Sequence, residues 1–173
     1  MNNQIMGYRY TRDELETLRL ILNVDLPLGI EPAALDEERY RAAFDSLCDA
    51  DILVDAGDRA LVDPLTALLL REAAASALCL RIRSDMRHTL LHRSENMYLL
   101  SECTPANCTI TPLQHAYHVP EPIQSAFERH SAPMIIEIMD EDGQMQTIEA
   151  QTTEDAQAAM KSYLTRLRVH YEY

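Results

Sequence analysis

Near residue 76 the apolar period of this chain changes from three-to-four to two, and that change requires a fold with both helices and a sheet. Upstream, apolar residues recur at helical spacing: Leu15, Leu18, Ile21 and Leu22, then Tyr40, Ala43, Phe44 and Leu47, then Leu65, Leu68, Leu69 and Ala73. Downstream, Leu78, Leu80 and Ile82 alternate with Cys79, Arg81 and Arg83, the pattern of a half-buried strand. Further short strands are expected at about 88–93, 97–103 and 108–113, with turns at Ser84-Asp85, Ser94-Glu95-Asn96 and Thr104-Pro105-Ala106-Asn107. Turns this short join antiparallel neighbours, so the second half reads as a meander. Helices first and strands afterwards make the fold class α+β, not an alternating parallel sheet.

Local signals set the element boundaries. Residues 8–10 suit a short strand. Thr11-Arg-Asp-Glu14 is a capping box opening a helix over 12–23. Two prolines and a glycine in "DLPLGIEP" break it. Asp36 caps the next helix. In "DILVDAGDRALVD" two short runs, 52–54 and 60–62, flank Ala56-Gly57-Asp58 as a hairpin. Asp63-Pro64 then starts a third helix, with Asp as N-cap and Pro in the first turn. Helix followed by hairpin is the order of a winged-helix domain. The expectation is therefore a winged-helix-like helical part with a β-hairpin wing over residues 1–76. Residues 77–173 are expected to form an antiparallel sheet with a short helix, Pro120 to His130, and a C-terminal amphipathic helix. Between them "PMIIEIMDEDGQMQTIEA" reads as strand, acidic Gly turn, strand. Thr152 to Asp155 repeats the capping-box spacing, and Ala156, Ala159, Met160, Tyr163, Leu164 and Leu167 form the last apolar stripe. From Arg168 onward the chain either stays helical or leaves as a short strand.

Composition narrows the function classes. A chain of 173 residues buries roughly 70% of its unfolded surface and needs no staple. No apolar run reaches the ~20 residues of a membrane span, and the start, "MNNQIMGYRY", has no basic region followed by an apolar stretch. A cytoplasmic protein is expected. The net charge of −13 opposes contact with phosphate backbones. Residues 36–63, which hold the would-be recognition helix and wing, carry nine acids and three bases, net −6. A winged-helix transcriptional regulator is therefore the disfavoured alternative, and no nucleic-acid partner is expected.

One segment carries residues with metal or thiol chemistry: "CTPANCTITPLQHAYH" holds Cys103, Cys108, His115 and His118. Zinc needs four ligands converging at bonding distance, and the spacing C-x4-C-x6-H-x2-H matches no common finger, ribbon or knuckle. Cys103 ends one strand and Cys108 begins the next, so they face each other across a hairpin, within ~4.5–5.5 Å. That permits a disulfide under oxidation or two packed thiols. His115 and His118 point to opposite faces if the loop is extended, and to one face if it makes a single helical turn. The expectation is no metal and no cofactor. His88 and His92, ~13 Å apart along a strand, cannot chelate one ion. Asp140, Glu141 and Asp142 lack the alternating carboxylates and later Glu of a calcium loop. No Ser or Cys lies in a Gly-flanked elbow, and no Gly-rich loop cradles phosphate. A non-enzymatic protein is expected.

The order of parts brings a family into view. The opening "YTRDELETLRLILNVDLP", with Leu15, Leu18, Leu22, Val24, Asp25, Leu26 and Pro27, is followed by "RYRAAFDSLCDADILVD" and then "DPLTALLLREAAASALCLRIR". With the meander, hairpin and last helix, this layout resembles the EspG-type proteins of type VII (ESX) secretion and shorter proteins near such loci in Gram-positive bacteria. The resemblance implies a chaperone-like accessory that binds secretion substrates or machinery, with a small helical secreted protein as partner and no catalysis. The mycobacterial proteins are longer, with two related halves, so the resemblance also implies that a half-length chain pairs with itself as a homodimer through exposed edge strands.

Overall fold

The computed structural model describes residues 6–25, 32–139 and 142–169. The first five residues, most of the expected break (26–31), Asp140 and Glu141 of the acidic turn, and the last four residues lie outside them.

The chain begins with strand β1 (Tyr8–Thr11), which runs directly into helix α1 (Arg12–Leu22). The capping box forms as the sequence requires: Thr11 Oγ1 accepts from Glu14 N at 3.2 Å, and Glu14 Oε2 accepts from Thr11 N at 2.7 Å. Asn23 closes the helix in the left-handed region, which its short polar side chain tolerates. Helix α2 (Glu37–Asp49) starts at Asp36, whose carboxylate accepts from Arg39 N at 2.8 Å. Two polar ties join α1 to α2: Arg39 Nε donates to Asp13 Oδ2 at 3.0 Å, and Ser46 Oγ donates to Glu14 Oε1 at 2.7 Å. The hairpin β2 (Leu53–Asp55) and β3 (Ala60–Val62) turns at Gly57, whose φ of 84° favours glycine. Helix α3 (Pro64–Ala74) follows with Asp63 as N-cap.

A seven-stranded antiparallel sheet occupies most of the remainder. Its strands are β4 (Ala77–Ser84), β5 (Arg87–Arg93), β6 (Tyr98–Cys103), β7 (Asn107–Leu113), β8 (Met134–Met139) and β9 (Met145–Ala150), joined by β1. The order is β1-β7-β6-β5-β4-β8-β9. Helix α4 (Pro120–Phe127) sits between β7 and β8, and helix α5 (Thr153–Val169) follows β9. On one face Leu80, Ile82, Leu91, Leu100, Ile136 and Ile138 pack under Ile123 and Phe127 of α4 and Met160, Tyr163 and Leu164 of α5. On the other face Leu99, Cys103, Cys108 and Ile110 pack with Tyr10 under Leu15, Leu18, Leu47, Leu69 and Leu70 of the helical layer. Opposite faces of one sheet thus build two cores, the consequence of period-two alternation in strands buried on both sides.

Three sequence expectations change. β1 belongs to the first 76 residues yet pairs with β7, Tyr8 opposite Ile110 and Tyr10 opposite Cys108, so the large sheet crosses the expected boundary at 76/77. The alternation in β4 is interrupted by a bulge between Leu78 and Leu80: Leu78 lies opposite His92 and Leu80 opposite Leu91. One inserted residue reverses face parity, which moves Leu78 off the stripe of Leu80 and Ile82. In α3 the buried face is Thr66, Leu69, Leu70 and Ala73, whereas Leu65 and Leu68 are exposed. The helix is apolar around much of its girth, so spacing alone does not choose the buried side. Packing does, with Tyr10 Oη and Thr66 Oγ1 sharing a hydrogen bond of 3.4 Å beneath it.

Candidate functional site

The cysteine–histidine segment separates into two halves at opposite ends of β7. The β6–β7 turn is held by Thr104 N donating to Asn107 O at 2.7 Å and Asn107 N donating to Thr104 Oγ1 at 3.2 Å. This aligns Cys103 with Cys108, their Cα atoms 4.1 Å apart, and the two are joined in a disulfide. Both are buried beneath the helical layer, and Arg12 N donates to Ala106 O at 3.1 Å, seating the start of α1 on the turn. From Cys108 the strand runs to Leu113, a rise of roughly 17 Å, before the chain coils. Ala116–His118 form a 3-10 turn, with His118 N donating to His115 O at 3.0 Å. That turn brings the rings of His115 and His118 to 5.5 Å between centroids. The coiled alternative for the histidines is therefore the one adopted, but the length of β7 keeps them from the sulfurs. Among the described residues no group of three or more His, Cys, Asp or Glu side chains is placed to hold a metal.

The other thiols are not activated. Burial, reinforced by Asp55 and Asp45, raises the Cys48 pKa. Burial raises that of Cys79 against the opposing pull of Arg93. A thiol shifted in this direction is less nucleophilic at neutral pH.

A buried histidine that spacing gave no reason to single out has the most perturbed environment. His130 follows α4, and both ring nitrogens are bound: Nδ1 to Ser84 Oγ at 2.9 Å and Nε2 to Thr89 Oγ1 at 2.8 Å. Burial first, then the positive charge of Arg87, the nearby His88 and Arg129, lower its pKa to about 4. A Ser–His pair invites comparison with a nucleophile and its base. A useful base titrates near the working pH and is oriented by an acid. Here the second nitrogen is held by a threonine hydroxyl and the ring stays neutral far below pH 7. His130 is a strut tying the β4–β5 hairpin to the end of α4. Its partners lie 46 and 41 residues away in sequence, so no local pattern could reveal them. On the opposite face of the sheet, Glu137 of β8 accepts from Arg81 Nη1 at 3.1 Å and Arg83 Nη2 at 3.2 Å, an ion trio across β4 and β8.

Two surface features remain. Between α4 and α5 runs an open groove of about 820 Å³, floored by Phe127, Met160 and Leu164 and flanked by Glu121, Gln124 and Lys161. Glu128, Ser125 and Thr165 add to its polar lining, which holds no histidine or cysteine among the described residues. On the opposite layer the β2–β3 hairpin and α3 present large apolar side chains to solvent. Val54 and Leu61 are direct cross-strand partners, 59% and 45% exposed. Leu65 and Leu68, one turn apart on α3, are 45% and 47% exposed. The chain passes from one pair to the other through Val62, Asp63 and Pro64 alone. Isolated exposed leucines are ordinary, whereas here four large apolar side chains are exposed on one hairpin and the helix that follows it. Sequence reading assigned Leu65 and Leu68 to the core, so the signal was visible and its direction was not.

The chain matches no protein-family model, and a comparison with curated proteins finds no match. No helix of the described residues is long and apolar enough to cross a membrane.

Proposed function

We propose that this chain is a non-enzymatic protein-binding accessory, and that it acts as a chaperone-like partner for type VII secretion substrates or machinery. The observation that carries the binding role is the outward-facing set Val54, Leu61, Leu65 and Leu68 on the wing and α3. The link to secretion rests on the sequence resemblance alone. The winged-helix reading of residues 1–76 belongs to the same proposal: α2 followed by β2–β3 supplies helix and wing, used here for contact with protein. Fold alone does not dictate function. A DNA-reading role for α2 runs against nine acids and three bases across residues 36–63. A metal or thiol role for Cys103 to His118 runs against the separation of the two pairs along β7.

The test is co-expression with the small helical proteins encoded beside its gene. The expected result is a complex that survives size exclusion and is lost in the Leu65→Ser, Leu68→Ser double variant while circular dichroism and melting temperature stay near wild type. Elution of the wild-type chain alone with every such product overturns the secretion assignment.

A further inference from the structure

One row of directly opposed residues crosses the large sheet: Tyr10, Cys108, Cys103, His88, Arg83 and Ile135, each opposite the next in the strand register. Directly opposed residues of antiparallel strands point to one face, so these side chains share the face that carries the helical layer. Tyr10, Cys108 and Cys103 are buried beneath that layer. His88 and Arg83 are only half-buried and, with Ile135, line an open cavity of about 430 Å³. The disulfide thus stops one strand short of an open cavity, and His88 stands between them. Three features suit this row to sulfur chemistry. The β6–β7 ladder and its Thr104–Asn107 turn align the two cysteines independently of the S–S bond, so one backbone accommodates both dithiol and disulfide. His88 Nδ1 is buried with no hydrogen-bond partner, a place that a thiol proton from Cys103 can fill. Burial, then Arg83 and Arg81, lower the His88 pKa, so at neutral pH the ring is uncharged and able to accept a proton. Glu137, bound to both arginines, and Asp85 and Glu149 in the cavity wall are the further charges beside it. We propose that Cys103 and Cys108 form a reversible dithiol–disulfide site that exchanges with small external thiols and disulfides through the Arg83–His88 cavity, His88 accepting the proton of the Cys103 thiol.

In the oxidising direction His88 takes the Cys103 proton and the thiolate attacks a small disulfide, RSSR. A mixed disulfide, Cys103–SR, forms, and the first RS⁻ leaves with that proton. The Cys108 sulfur then displaces the second RS⁻, which takes the Cys108 proton. Two electrons pass from the cysteine pair to RSSR, giving the protein disulfide and two RSH. Excess RSH drives the same steps backward. Cys103, beside His88, is the attacking thiol, and Cys108, one strand deeper, closes the bond. The histidine concerned is neither His115 nor His118, which β7 holds at its other end. This site is separate from the exposed apolar residues of the hairpin and α3, and it stands whether or not those bind protein.

The test uses the full chain with the free cysteines removed as Cys48→Ser and Cys79→Ser. It is reduced and then mixed with dithiodipyridine, a small chromogenic disulfide. The expected result is release of two thiols per chain, with the Cys103–Cys108 bond found by peptide mass and reopened by excess dithiothreitol. His88→Gln should slow the first release at least about tenfold at pH 7 and match the parent near about pH 9.5, where thiols ionise unaided. Loosened packing does the reverse, because easier access speeds a buried thiol, so the direction separates a proton acceptor from a structural histidine. His115→Gln, on the turn beyond the other end of β7, should change nothing. A second measurement does not depend on the folding of any His88 variant: limiting iodoacetamide should alkylate Cys103 before Cys108 in the reduced chain. An equal or faster first release in His88→Gln at pH 7 overturns the inference, as does an equal slowing in His115→Gln or alkylation of Cys108 first. A pair that stays closed in excess dithiothreitol, or stays open after the aromatic disulfide while circular dichroism shows a folded chain, overturns it as well.

Discussion

Lowering the pH from 7 to 5 should destabilise the protein by about 2 kcal/mol through one side chain, His130. In the unfolded chain its imidazole titrates at 6.5, and in the fold burial and the surrounding Arg87, His88 and Arg129 hold it to about 4. The neutral ring is the folded form. Its contribution is therefore whole above pH 6.5 and disappears as the pH falls through about 4. Each pKa unit is worth about 1.4 kcal/mol, so the full passage removes roughly 3 kcal/mol and stopping at pH 5 removes about 2. His88, also lowered by burial and by Arg83 and Arg81, adds in the same direction. The assay is urea unfolding at both pH values for the wild type and His130→Gln. The glutamine variant is less stable throughout because it leaves Ser84 and Thr89 poorly paired, but the comparison concerns the pH difference. The variant should lose about 2 kcal/mol less than the wild type between pH 7 and 5. An identical pH loss in both proteins, or an imidazole NMR titration of His130 centred near 6.5, refutes the reasoning.

Three further outcomes follow from the packing. Leu70→Ala, at a fully buried position, should cost 2–5 kcal/mol, roughly the range for a core leucine, whereas Leu68→Ala, 47% exposed, should stay within about 0.5 kcal/mol in denaturant melts. Glu137→Gln should destabilise by about 1–3 kcal/mol, since it leaves Arg81 and Arg83 half-buried with no carboxylate between them. Reduction of the Cys103–Cys108 bond, which links residues five apart, should lower stability by about 2 kcal/mol on the loop-entropy account, read as the midpoint shift with and without dithiothreitol.

Most of the secondary structure was legible because its causes are local. Thr11 with Glu14, Asp36 with Arg39 N, and Asp63 before Pro64 start their helices by bonds within three residues. Gly57 and Gly143 turn their hairpins by a positive φ that few other residues adopt easily. The apposition of Cys103 and Cys108 was legible for the same reason, a short turn between two alternating runs. The proposed site was not. Leu65, Leu68, Leu69 and Leu70 offer more than one plausible apolar stripe, and α3 turned the one with Thr66 toward Tyr10. His130 meets Ser84 and Thr89 only because β4, β5 and the end of α4 converge in space.

By itself, then, the sequence determined where helices and strands begin, that the class is α+β, and that the surface over residues 36–63 is acidic. These depend on neighbours within a turn or a hairpin, whose energies act before the chain is folded. Tertiary structure decided which of two apolar stripes on α3 is buried, that β1 closes the sheet beside β7, that a bulge sets Leu78 apart from Leu80, and that the thiols and imidazoles of residues 103–118 stand a strand's length apart. Each of these is a choice among locally equivalent arrangements, and only the packing of distant segments makes them unequal.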